Sequence, residues 1–527
     1  MATGTVEGGE LPRAMLDTAT QAADWVIIWP VVLPLLGAAL LLMLRQSRST
    51  SALFAGLVVV GVIACELELL RNVLATGPVT MTMGNWLPPF GISFTADVMG
   101  AGFALAASVV TLIVLLYAEP ELADREVRHG FYSLVLLLNA GVAGSFLTGD
   151  LFNLYVWFEV MLISSFGLMI MGGRKIQIDG AVKYGFINFL ATSFFLLALG
   201  LLYGLLGTLN MADIIRTAPD APQGPMLGIA ALLLLAFGVK AAAFPVNAWL
   251  PASYHTPTAA VSALFGGLLT KVGAYAMVRS LVALLPASGA ALDGVLTALA
   301  VTTLILAPLG ALAQTNLRRA VGFFLIGGIG SILAGLSIPG FLGMAGATSY
   351  IFHSILTISA LYLISGLIER ATQTKEIRGM GGLYAANSIL SILFLVLVFA
   401  IAGLPPFLGF WPKLMLVQAS VVDADYLLLS ALLLNSLLTV IAGSRIWAHI
   451  FWRAGREGEG SEQPNDRLIA LSRRDNWFSL VPTSALVAGI VVVGLFPALL
   501  IDASRTASSD LLQTGRYVSS TGLEEAE

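Results

Sequence analysis

Residues 238–276 read GVKAAAFPVNAWLPASYHTPTAAVSALFGGLLTKVGAYA, an apolar run with Lys240 near one end, Lys271 near the other, and Pro245 and Pro251 between them. Proline deletes a backbone donor and clashes with the preceding turn, so a helix breaks where it enters. If the run crosses a bilayer, each charge near the midplane costs roughly 2.5–3.5 kcal/mol, so the lysines must face a protein or water-filled interior. The carbonyls freed at the break then need partners from other helices, side chains or water, which points to a cavity there. The pattern returns at 400–413, AIAGLPPFLGFWPK, where prolines at 405, 406 and 412 interrupt a second apolar run and Lys413 closes it. Two interrupted helices in corresponding halves suggest an inverted repeat with ion sites near the midplane. The match is imperfect, since Lys240 precedes its break and Lys413 follows the double proline.

The rest of the chain supports a membrane setting. Mean hydropathy is +0.89, with 57% hydrophobic and 11% charged residues, against about 25% charged in an ordinary soluble domain. A bilayer core takes about 20 apolar residues per helix. Apolar segments fall at 25–44, 52–74, 97–118, 130–148, 151–171, 181–206, 226–250, 258–285, 292–313, 319–337, 341–368, 386–421, 426–452 and 477–500. No long alternating pattern appears, so the expected fold is an all-α polytopic membrane protein of about fourteen transmembrane helices. Its repeat would comprise two five-helix units, segments 4–8 and 9–13, with helices 7 and 12 broken. The expected organisation is a polar N-terminal tail (1–24), peripheral helices 1–3 (25–129), a first half-channel (130–285) and a second (292–452). A cytoplasmic loop (453–476), helix 14 (477–500) and a polar C-terminal tail (501–527) complete it.

Charge sets the orientation. Loops after odd-numbered segments hold Arg45, Arg48, Arg125, Arg128, Arg174, Lys175, Lys183, Arg318, Arg319, Arg370, Lys375, Arg378, Arg453, Arg456, Arg467, Arg473 and Arg474. Loops after even-numbered segments hold only Arg71, Arg216 and Arg279. The bias puts the odd loops in the cytoplasm and both termini outside, in a multi-pass protein of the cell (inner) membrane. These arginines follow topology rather than one face, so no nucleic-acid site is expected. The single Cys65 precludes an intrachain disulfide or a thiolate cluster. No phosphate-binding Gly-rich loop, hydrolytic triad, or Cys/His spacing for haem, zinc or iron–sulfur appears, so the chain has no visible energy source and no cofactor is expected. The sequence leaves a metal site undecided.

Glu159, in NLYVWFEVMLISSFGLM, has no basic residue within helical reach and needs a partner from another helix; Lys240 is the best candidate. Such a pair either titrates as a unit or stands as a static register-fixing contact. Lys271 lies near the centre of the eighth segment with no nearby carboxylate, and buried lysines exchange protons when their pKa is moved. Lys413 adjoins a backbone break, where it either carries protons or satisfies freed carbonyls. His353, in SYIFHSILTISALYL, sits about ten residues into the eleventh segment and titrates without a large shift. His255, in the turn before the eighth segment, is a gate for protons or a helix cap. Glu66 and Glu68 sit on the outer part of the second segment, outside this file.

Three blocks, GDLFNLYVWFEVMLISSFGL (149–168), the 238–276 stretch and AGLPPFLGFWPKL (402–414), resemble the signature blocks of antiporter-like proton-translocating subunits. That superfamily includes membrane subunits of respiratory complex I, membrane hydrogenases and Mrp-type multisubunit Na+/H+ antiporters. The wording around Glu159 and Lys271 is most similar to the D-type subunit of the Mrp antiporters. The resemblance implies that Glu159 and Lys240 form an input pair, Lys271 a central relay and Lys413 the terminal proton donor or acceptor. Many relatives have a lysine on helix eleven, whereas this chain has none between Lys271 and Lys375, which leaves that link to His353 or to water. The function implied is a secondary transporter subunit, not an enzyme. It would move protons in a monovalent cation/proton antiporter whose partners are other membrane subunits and whose ions are protons with Na+ or K+. The alternative is the same proton machine in a redox-driven complex.

Overall fold

The computed structural model describes residues 22–44, 48–88, 90–453 and 468–523. The expected N-terminal tail falls almost wholly outside these residues, as does most of the 453–476 loop with Arg45, Arg456 and Arg467. The helices are α1 (Trp29–Leu44), α2 (Arg48–Thr76), α3 (Val98–Ala118), α4 (Phe131–Leu147), α5 (Leu151–Ile170), α6 (Lys175–Leu206), α7 (Gln223–Ala241) and α8 (Ala259–Leu284). They continue as α9 (Asp293–Leu312), α10 (Leu317–Ser337), α11 (Phe341–Thr372), α12 (Ser388–Ala402), α13 (Phe410–Val422), α14 (Tyr426–Trp452), α15 (Arg473–Leu495) and α16 (Ala498–Leu512). Among the described residues eleven helices are long and apolar enough to cross a membrane. Shorter apolar helices are α1, α4, α12 and α13, the last two being halves of the twelfth apolar segment.

Polar side chains set the helix starts. Asp97 accepts from Gly100 N at 2.8 Å, Asp150 from Asn153 N at 2.8 Å, and Asp425 from Leu428 N at 2.9 Å, each satisfying a donor that the first turn leaves free. The start of α8 is capped from a distance, with Glu121 accepting from Ala259 N and Ala260 N. Burial then sorts the helices. The most apolar window of α8 is 100% buried and those of α10 and α11 are 94% buried, against 28% in α2 and 33% in α6. The first three are therefore the interior, and α11 packs against α3, α8, α10, α12, α13, α15 and α16.

The fold is mostly helical, as expected, with one short addition: β1 (Val79–Thr82) and β2 (Ser93–Ala96) pair antiparallel between α2 and α3, with Val79 opposite Ala96 and Thr82 opposite Ser93. Thr80, Thr82, Phe94 and Thr95 are residues that suit a pleated surface, and the run was too short to register as a pattern. The C-terminal segment, expected as a polar tail, contains α16, which has a buried side. Leu500, Ser504, Ala507, Ser508 and Leu511 form one buried face of α16, and Ser504 bonds Ser349 of α11 at 2.6 Å. Ser504 and Ser508 are buried with their hydroxyls satisfied, as where Ser508 Oγ donates to Ser504 O at 2.8 Å.

Candidate functional site

Both interrupted segments break in the same way. Helix α7 ends at Ala242 in left-handed conformation (φ 62°), with Pro245 three residues on. Helix α12 ends at Gly403 (φ 80°), with Pro406 three residues on. In that alignment Lys240 corresponds to Ile401, and Lys413 to Ala252. The freed carbonyls find different donors. Val239 O accepts from the Trp249 indole at 3.1 Å, and Phe244 N is held by Thr303 Oγ1 at 3.2 Å. Ala402 O instead accepts from the Lys413 ammonium, Nζ to O 3.1 Å.

Glu159 and Lys240 are both half-buried. They are close enough for the carboxylate's charge to act on the amine, yet they form no direct ion pair within 4.0 Å. The Lys240 ammonium lies 4.8 Å over the ring of Phe158, the residue before Glu159, a contact that an aromatic face favours for a cation. Lys240 also lines a cavity of 20 Å³ with Met161, Tyr184, Asn188 and Tyr254, enough for about one water.

Lys271 is fully buried, at 0% exposure. Its Nζ donates to Gly266 O at 2.7 Å and Thr270 Oγ1 at 3.2 Å. No carboxylate is among its partners. The acceptor belongs to a π-helical turn, Phe265–Leu269, where the helix ladder is offset, a feature often found at functional sites. Close packing holds that turn to α11: a Cβ on Gly266 would come within 2.4 Å of Tyr362, and one on Gly267 within 1.8 Å of Ser359 Oγ.

His353, also buried, shares a hydrogen bond with Thr357 Oγ1 through Nδ1 at 3.1 Å. Its other nitrogen faces Gly409 in the α12–α13 break, where a Cβ would lie 2.8 Å from Nε2. The charges of both Lys413 and Lys271 act on this ring. Lys413 packs its stem over Gly403 and donates to Asn435 Oδ1 (3.2 Å) and Ser436 Oγ (3.0 Å) besides Ala402 O. Asn435 is anchored in turn by Nδ2 to Leu304 O at 2.7 Å.

His255 sits apart from this group. Its Nδ1 donates to Pro251 O at 2.9 Å. Burial first, then the Arg319 charge, pushes its pKa down to about 4, so the ring is neutral at physiological pH. Sequence reading missed Trp249, Ser359, Asn435 and Ser436. A tryptophan or serine in an apolar run carries no signal of the carbonyl it will serve until the break is placed. Glu66, in the outer part of the second segment, is fully buried against α3.

Apolar helices around buried amines, two of them on broken segments, define a polytopic membrane protein with a charged interior. Residues 148–439 match the family described as NADH:quinone oxidoreductase/Mrp antiporter, TM, and the chain belongs to that family. It is 34% identical over 496 residues to the D-type Na(+)/H(+) antiporter subunit of Alkalihalophilus pseudofirmus, across 94% of this chain and 99% of that protein. Its identity to the subunit of the same description in Bacillus subtilis is 37% over 448 residues, 84% of this chain and 89% of that one. In three dimensions it resembles a chain of the Mrp complex from Dietzia sp., with TM-score 0.87 and 26% identity, covering 95% of this chain and 100% of that one.

Proposed function

We propose that this chain is a proton-translocating membrane subunit of a multisubunit Na+/H+ antiporter, with Glu159, Lys240, Lys271, His353 and Lys413 as its proton path. The observation that carries the reading is Lys271, a fully buried amine bonded to Gly266 O and Thr270 Oγ1 with no carboxylate beside it. Keeping such a group is costly unless its proton is used, since an apolar residue would pack there as well. The names of the similar subunits support the cation and the need for partner subunits. The fourteen-span organisation belongs to the same proposal: half-channels at 130–285 and 292–452, odd-numbered loops in the cytoplasm and both termini outside, in the cell membrane. In it, a proton reaches Lys271 under the influence of the Glu159–Lys240 pair and passes through His353 to Lys413. His255 serves the turn before α8 as a neutral hydrogen-bonding group.

The test is Na+-dependent proton antiport in everted vesicles of an antiporter-deficient strain, comparing the co-expressed complex, the same complex with Lys271→Ala, and this chain alone. Antiport only from the intact complex, lost in the variant while assembly persists, is expected. Near-normal antiport in the variant would refute the relay. No antiport from the complex, with proton pumping on addition of an electron donor, would move the chain to a redox-driven machine.

A further inference from the structure

Glu66 lies outside the path described above, about two thirds of the way along α2, at 0% exposure. A chain of buried polar side chains ends on it. Thr111 Oγ1 lies 3.0 Å from Asn139 Oδ1, Asn139 Nδ2 lies 3.3 Å from Ser108 Oγ, and Ser108 Oγ donates to Glu66 Oε1 at 3.0 Å. The other carboxyl oxygen, Oε2, is buried without a hydrogen-bond partner. Helices α1, α3 and α4, which pack against α2, contain no charged residue at all, and the short helix Ala22–Ile27, which also packs against it, carries one, Asp24. The ionisable groups near Glu66 on its own helix are Cys65, which is half-buried, and Glu68 and Arg71, which pair with each other at 3.4 Å on the exposed face. A buried carboxylate with neither counter-ion nor full hydrogen bonding is prohibitively costly, so the group is neutral in place, either holding its own proton or exchanging it for a bound cation.

We propose that Glu66, with Ser108 and Asn139, forms a monovalent-cation exchange site between α2, α3 and α4. Hard cations take oxygen ligands, and the cluster offers both carboxyl oxygens, a hydroxyl and an amide oxygen. The carboxyl releases its proton as Na+ binds and takes a proton back as Na+ leaves, so the site never holds a bare charge. The choice of Na+ rests on the antiport reading above. The site itself rests on the unpaired oxygen and on the uncharged helices α1, α3 and α4.

The probe is dicyclohexylcarbodiimide, which modifies protonated carboxyls in apolar surroundings, applied to the assembled complex in vesicles and read by mass spectrometry of the Glu66 peptide. Labelling at Glu66 is expected in choline chloride and should fall about tenfold in NaCl held tenfold above the dissociation constant. Ser108→Ala should weaken that protection at the same protein fold. A Lys271→Ala complex, inactive in antiport, should show it unchanged, which separates failure of the site from failure of the transport reading. Labelling that is equal in Na+ and choline would overturn the proposal and leave Glu66 a static neutral group. If no labelling occurs, Glu66→Gln decides: Gln keeps the acceptor for Ser108, and an unchanged half-saturating Na+ concentration for antiport would overturn the site, whereas a rise of severalfold would support it.

Discussion

Lys413→Met separates the two roles open to this lysine, proton carrier and donor to a broken helix. Methionine keeps an unbranched stem over Gly403 and removes Nζ, so Ala402 O, Asn435 Oδ1 and Ser436 Oγ lose a donor together. The three losses are unequal. Ser436 can turn its own hydroxyl toward a neighbour, and Asn435 stays anchored through Leu304 O. Ala402 O, at a helix end beside Gly403, depends most on the lysine. One or two orphaned acceptors cost about 1–3 kcal/mol each. Against this, the variant removes an ammonium that has no carboxylate among its partners, whose burial itself costs several kcal/mol. The terms oppose, so net stability should move by no more than about 2 kcal/mol, and the complex should assemble and melt within a few degrees of the parent. Antiport in vesicles, by contrast, should fall by at least about tenfold, the equivalent of about 1.4 kcal/mol in the limiting barrier. The reasoning fails if the assembled Lys413→Met complex transports at more than half the parental rate. In that event the lysine only satisfies the backbone.

The contact between His353 and the second break predicts a strong effect at Gly409. An alanine Cβ there would lie 1.9 Å from Ala400 O and 2.8 Å from His353 Nε2, so Gly409→Ala should lower the melting temperature and antiport together, by more than the ~1–3 kcal/mol of ordinary overpacking. Gly228→Ala on α7, where a Cβ meets nothing within 4 Å, should stay within about 1 kcal/mol of the parent; equal behaviour of the two would refute the contact. Because the His255 ring is held at about 4 by burial and Arg319, it gains its proton only as pH falls toward that value. His255→Gln should therefore leave the shape of the antiport–pH profile unchanged between about pH 6 and 9, and a profile displaced in that window would return His255 to the path.

The central lysines were legible because a charge in an apolar run has few explanations. Lys271 and Lys413 are buried as that logic requires, and the breaks fall where Pro245 and Pro406 put them. Burial around an apolar helix was not legible. The inner face of α2 comprises Val59, Val62, Glu66, Leu69 and Val73, spaced as one helical stripe. The helix is apolar on its outer side too, at Leu57, Val60, Leu67 and Leu74. A helix hydrophobic all round gives no moment to say which side faces the protein, so the sequence does not say that Glu66 faces inward. The same blindness hid α16, for the opposite reason: its serines and Asp510 look like tail residues, and their burial depends on hydrogen bonds that exist only after folding.

The two amines at the centre differ in what surrounds them, and the difference bears on how a proton could travel. An ammonium offers three N–H donors and an amine two. Lys413 meets three protein acceptors, one of them a hydroxyl. If its proton leaves, Ser436 can reverse and donate to the nitrogen, so the Ala402 and Asn435 bonds survive. Lys271 meets two protein acceptors, Gly266 O and Thr270 Oγ1, and both can be kept by an amine, while an ammonium has a third N–H free to meet a water or the next carrier. Neither lysine therefore has to orphan a buried carbonyl when its charge changes. In the first break that duty falls to a neutral donor: the Trp249 indole holds Val239 O and leaves the Lys240 ammonium to Phe158 and the field of Glu159. The backbone problem is the same at both breaks, and only at the second is it solved by a titratable group. A charge change at Lys413 is thereby felt directly by the helix end at Ala402, beside the Gly409 turn that touches His353, whereas a charge change at Lys240 leaves the bond that holds its own break in place.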